Sequence, residues 1–294
     1  MSAEALPATG GPSWGEFVAA WELFQDPMLV GLGAGLVLGY LSVYVFMRRM
    51  VFVSAAVTQS AGLGVALAFY AEIHLAVTIE PIFGAAALAL LATLALLVDA
   101  ERLHITSEGV LGLIFAASGG AAILVGDRIA QEAHDIQSIL FGTAVLVRPF
   151  DLWVILGTGT VVLALHLWWA RGLTFATFDE TAARVQGLPV RPLLAFVLVS
   201  IGLMVGASAR ALGALPVFAL STLPAMAAAL MGFHLQLAFV AAATIGAVSG
   251  FGGYAVAFFA ETPVGATQTA VAALFVLVGA LVHGVRRGAA RARA

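Results

Sequence analysis

Met28–Met47 reads MLVGLGAGLVLGYLSVYVFM, twenty residues without a charge, and Arg48-Arg49 follow at once. About 20 apolar residues carry a helix across the roughly 30 Å hydrocarbon core of a bilayer. This stretch therefore reads as a membrane span closed by a basic end. The pattern recurs along the chain, and spans are expected at about 28–47, 51–71, 81–99, 108–126, 151–170, 192–212, 214–232, 235–259 and 264–285. Ser107 before Glu108, and Thr262 before Pro263, mark helix starts. Between 192 and 232, Gly213 and Pro216 suggest a broken or re-entrant helix. The composition agrees, because 62% of residues are hydrophobic and 10% charged, against about 25% charged in soluble domains. The reading is an all-α, polytopic helical membrane protein with nine transmembrane helices, eight or ten being the alternatives.

Arginine placement sets the expected orientation. With the N-terminus outside and the C-terminus cytoplasmic, Arg48, Arg49, Arg102, Arg171, Arg184, Arg191, Arg286, Arg287, Arg291 and Arg293 all fall inside. Arg128 and Arg148 then lie in an outer loop, and Arg210 near an outer helix end. Residues 1–27 read as an interfacial amphipathic segment rather than a signal peptide, since no basic residue precedes an apolar core. Ser13 and Glu16 fit a capping box, and Trp14, Phe17, Trp21 and Phe24 fall on one face. Residues 28–285 form the transmembrane domain, and 286–294 a basic cytoplasmic tail.

Asp179–Pro189, DETAARVQGLP, is a polar island between two apolar stretches. Asp179 is placed to N-cap a short helix over about 179–188. Gly187 can end it in a left-handed conformation, and Pro189 forbids continuation. The net charge of −3 leaves no nucleic-acid footprint. Without cysteine, disulfides and thiolate metal sites are excluded. Without lysine, the chain cannot carry an ordinary phosphate-binding P-loop. If ATP drives the protein, another polypeptide binds it. Mid-membrane carboxylates, which ion-coupled carriers generally use, are missing from the expected spans. Asp99, Glu108, Asp151 and Glu261 lie at span ends, and His166, the one titratable group deep in a span, reads as packed core.

From about Phe24 to Leu281 the chain resembles the permease subunits of the bacterial zinc/manganese/iron ABC uptake systems, type II importers related to the cobalamin and siderophore permeases. The resemblance is carried by five motifs in order. Phe46-Met47-Arg48-Arg49-Met50 ends the first span, and Ile139-Leu140-Phe141-Gly142 precedes a helix-opening Asp151. Phe178-Asp179-Glu180 with Ala183 and Gly187 is similar to the family's coupling loop. Ser208–Gly213 is followed by Leu223-Pro224-Ala225-Met226-Ala227, and Pro263-Val264-Gly265-Ala266 opens the last span.

The resemblance implies a multi-pass protein of the bacterial cytoplasmic (inner) membrane that moves a divalent transition metal. It implies a second permease copy, most simply a homodimer, and a cytoplasmic ABC ATPase dimer that holds the ATP. A periplasmic or lipid-anchored solute-binding protein would deliver the metal. The permease is then not itself an enzyme and binds no cofactor of its own. Asp179, Glu180, Ala183 and Gly187 would couple it to the ATPase.

One region departs from the family pattern. The family's second span carries an Asp and, four residues later, a His; here those positions are Ala55 and Gln59. Alanine has no donor, and a glutamine carbonyl is a neutral, weak ligand. Thr58, Gln59 and Ser60 remain as a polar patch, either lining a pathway or bonding helices together. Other candidate ligands are Glu132, His134 and Asp135 in one outer loop, and Glu72, His74 and Glu80 in another. Arg210 is expected to snorkel or cap helix carbonyls. The glycines of the first and eighth spans are expected to serve helix packing. The alternatives are a degenerate or heterodimeric subunit with a non-metal or chelate substrate, and a secondary carrier working alone.

Overall fold

The computed structural model describes residues 12–97, 106–129 and 147–291. Among them every regular element is an α-helix. In chain order these are α1 (Trp14–Ala19), α2 (Trp21–Met47), α3 (Val51–Leu75), α4 (Pro81–Ala95), α5 (Ser107–Ile129), α6 (Pro149–Trp168) and α7 (Ala170–Phe178). There follow α8 (Glu180–Val185), α9 (Val190–Leu212), α10 (Ala214–Leu220), α11 (Leu223–Leu230), α12 (Leu235–Ala260) and α13 (Val264–Arg291). Seven of the described helices, α2, α3, α5, α6, α9, α12 and α13, are long and apolar enough to cross a membrane; α4 and the α10–α11 pair are shorter apolar helices.

Glycine decides which helices approach closely. A side-chain carbon on Gly31 would lie 2.6 Å from the carbonyl oxygen of Gly250, and Gly35 and Gly39 face the α12 backbone in the same way. Helices α2 and α12 thus meet backbone to backbone, as small-residue seams allow in hydrocarbon, where dispersion and not hydrophobicity drives helix association. Gly64 and Gly84 do the same for α3 and α4. Buried Gln268 on α13 donates to the Gly250 carbonyl at 2.8 Å, tying the third helix to the seam.

The stretch expected as one span over 214–232 is split. Gly213 (φ 89°) separates α9 from α10, and a second break falls at Ser221-Thr222, between α10 and α11. Pro216 sits in the first turn of α10, where its missing N–H has no partner to lose. Broken backbone at this depth must still be satisfied. The Thr222 and Ser221 hydroxyls each donate to the Phe218 carbonyl at 2.9 Å, and the Ala225 N–H donates to Ser42 Oγ of α2 at 3.1 Å.

Elsewhere the ends move. Helix α2 starts at Trp21, seven residues before the expected span, with Pro27 inside it. The capping box of Ser13 and Glu16 is formed, and the Ser13 backbone N–H holds the Glu16 carboxyl below its ordinary value. Phe17 and Phe24 turn onto Tyr254, Phe258 and Phe259, while Trp14 and Trp21 stay exposed. The cap of α5 is Thr106, whose hydroxyl accepts the Gly109 N–H at 3.1 Å. The last helix runs on to Arg291, so Arg286 and Arg287 are helical.

Candidate coupling and pathway sites

The polar island folds as its residues dictate. Asp179 Oδ1 accepts the Ala182 N–H at 2.8 Å, capping α8. At the other end Gly187 takes φ 79°; its N–H donates to the Arg184 carbonyl and that of Leu188 to Ala183, both at 3.0 Å. This bond pair is the Schellman arrangement, which wants glycine at its left-handed position. Pro189 then precedes α9. Ala183 is fully buried against Ala176 and Val190, with Phe175, Leu188 and Leu193 around them. Glu180 pairs with Arg184 and lies 3.9 Å from Arg48, at the end of α2. The opposite side is bare: Phe178 is 75% and Val185 85% exposed. The segment is therefore anchored through Ala183 and leaves the apolar side chains of Phe178, at the end of α7, and Val185 exposed. Helix α7, which carries Phe175 and Phe178 into this segment, was not anticipated from sequence; its apolar residues merge with those of α6, and only the turn at Trp169 separates them.

On α3 the polar patch comes apart. Thr58 is buried and its hydroxyl bonds back to the carbonyls of Ser54 (2.9 Å) and Ala55 (2.8 Å). Ser60 is buried and meets Ser118 of α5, Oγ to Oγ, at 2.9 Å. The first hydroxyl stays on its own helix, and the second joins α3 to α5. Ala55 is also buried. Gln59 alone of the four lines a cavity of about 310 Å³ between α3, α5 and the start of α10. Its other walls are Gly62, Phe115, Ala116, Gly119, Gly120, Ala122, Ile123, Gly126 and Ala214, none of them charged. A side chain on Gly119 would come within 3.3 Å of Gln59 Oε1, so glycine there keeps room for the amide.

At the far end of the helices lies an ion cluster that sequence reading did not assemble. Arg210 of α9 pairs with Asp151 of α6, and Arg148 bridges Asp151 (3.6 Å) and Glu80. Asp151 is 2% exposed and Arg210 only 12%. Arg210 therefore pairs with a carboxylate, where snorkelling or carbonyl capping was expected; a guanidinium this enclosed needs a counter-charge. The hydrogen bond to Glu80 pushes Arg148 further above its ordinary value. Glu72 and Glu80 line a cavity of about 440 Å³ with both arginines, whereas His74 stacks on Tyr70 at 4.3 Å. Among the described residues no three His, Asp or Glu side chains converge as a metal site. Glu132, His134, Asp135 and the Ile139–Gly142 motif lie outside the described residues. His166 is fully buried among the rings of Tyr40, Tyr44 and Phe196, as a packed core residue would be.

The chain is similar over most of its length to known proteins. The manganese transport system membrane protein MntC of Halalkalibacterium halodurans is 24% identical over 259 residues, covering 88% of this chain and 87% of that one. The manganese import system permease protein ScaB of Streptococcus pneumoniae is 24% identical over 266 residues, covering 90% and 92%. The solved structure of PsaBC from Streptococcus pneumoniae in complex with Fab superposes with a TM-score of 0.76 at 24% identity, over 91% of this chain and 95% of that one. Residues 20–283 match the model of the ABC 3 transport family, and the chain belongs to that family.

Proposed function

We propose that this chain is the membrane-spanning permease of an ATP-driven importer for a divalent transition metal, manganese before zinc or iron, in the bacterial cytoplasmic membrane. The observation that carries the reading is the segment from Asp179 to Gly187, capped at both ends, anchored through Ala183 and tied to α2 by Glu180 and Arg48. Exposed Phe178 and Val185 are the surface an ATPase would receive. Counting α4 and the α10–α11 pair as crossings with the seven long helices gives nine spans. The arginine bias then puts the N-terminus outside and α8 in the cytoplasm. Two copies of the chain, an ABC ATPase dimer and an outer solute-binding protein complete the assembly. ATP stays on the partner, and the metal passes as substrate. The cavity beside Gln59 is the pathway candidate, and manganese is favoured by the names of the relatives.

The test is co-purification of the neighbouring ATPase with Glu180→Arg combined with Gly187→Pro. Loss of the ATPase, with membrane insertion kept, supports the assignment; unchanged association refutes it. A second reading, a degenerate or heterodimeric subunit, or one carrying a chelate, is favoured by one observation: no charged side chain lines the Gln59 cavity among the described residues. Co-purification of a different permease with this chain would select it.

A further inference from the structure

Helices α6 and α12 both pack on α2 yet leave a groove of about 1050 Å³ between them. Its walls are apolar, with Leu163 and Leu167 on one side and Phe239, Val240 and Val248 on the other, over Leu36. One end differs. There Arg171, Thr174 and Gln236 line it, and Trp168 and Trp169 stand exposed beside the arginine. Trp at this level is the mark of the membrane–water boundary. Helix α12 borders the groove from Leu235 to Gly252, about 26 Å at 1.5 Å per residue. One leaflet with its head groups is roughly 20–22 Å deep, half of a bilayer's 40–45 Å. The groove thus runs the full depth of one leaflet and slightly beyond it, with the apolar body and single basic end that one membrane lipid needs.

We propose that it holds an anionic phospholipid of the leaflet on the α8 side, with its phosphate on Arg171 and its acyl chains between α6 and α12. Basic pockets between membrane helices take acidic head groups in this manner. A second copy of the chain would have to supply both an apolar ridge for the groove and an anion for Arg171, whereas one phospholipid carries acyl chains and phosphate at this spacing. The lipid would also touch Phe175 of α7, which leads into α8. Its presence would brace that segment against α12, whatever substrate the protein moves.

The chain is purified from nanodiscs of phosphatidylcholine doped with phosphatidylglycerol, and retained lipid is read by native mass spectrometry. Wild type is expected to keep one phosphatidylglycerol per chain. Arg171→Gln should lower that retention about tenfold, the factor for one charge-assisted hydrogen bond. Val240→Trp should lower it as well by filling the groove with the charge untouched. Arg191→Gln, which removes an arginine outside the groove, should leave retention unchanged. Equal retention in Arg171→Gln and wild type, or equal retention of phosphatidylcholine, overturns the proposal. So does cross-linking between two copies through Val240→Cys, which is the only cysteine of that variant.

Discussion

The segment around α8 and the polar patch on α3 both stand out in sequence as polar residues set in apolar surroundings, yet the fold treats them differently. Around α8 each residue does what its neighbours in the chain require. Asp179 caps the turn that follows it, Gly187 supplies the left-handed φ, and Pro189 stops the helix. These are contacts within a few residues, so they are readable without the fold. On α3 the outcome depends on which way each side chain turns within the bundle. Thr58 turns to its own backbone, Ser60 to Ser118, and Gln59 alone to a cavity. Three consecutive residues of a helix point about 100° apart, so a polar run is never one surface. A local device is legible from sequence, whereas a lining residue is legible only once its neighbours are placed.

The sharpest way to break the comparison is Ala183→Asp, which puts an unpaired charge where the anchor of α8 is fully buried. A cost of about 3 kcal/mol is expected locally, and ATPase binding should vanish while the spans still insert. Intact binding would mean that α8 is not held by this face. Next is Gly187→Val. A β-branched residue at φ 79° costs roughly 1–2 kcal/mol, so the ATPase should bind more weakly but detectably, as titration against the purified ATPase would report. The patch should respond less. Ser60→Ala removes one interhelical hydrogen bond, worth about 0.6 kcal/mol in membrane bundles, and should lower the thermal midpoint slightly with uptake unchanged. Gln59→Ala should do the reverse, altering uptake with no measurable loss of stability. Equal effects from both would return the patch to a single surface.

The same division runs through the rest of the molecule. Seven of the nine expected spans were legible because apolar stretches of about 20 residues mark themselves by composition, and the Ser13–Glu16 cap was legible because it is local. The break at Ser221-Thr222 was not, because one backbone group beside it, the Ala225 N–H, finds its acceptor in Ser42, 183 residues away. Nor was the pairing of Arg210 with Asp151, 59 residues apart, although an arginine in an apolar helix already asked for a carboxylate. Helix α7 went unread because hydropathy does not register a bend at Trp169 between two apolar helices.

The most direct test is manganese accumulation in cells expressing this chain with its neighbouring ATPase and solute-binding protein, compared with the same cells carrying Gly187→Pro. Pro at that position can neither adopt φ 79° nor donate the N–H that closes α8. The account predicts accumulation in the first strain and background levels in the second, with equal amounts of permease in the membrane. Equal accumulation in both would contradict it.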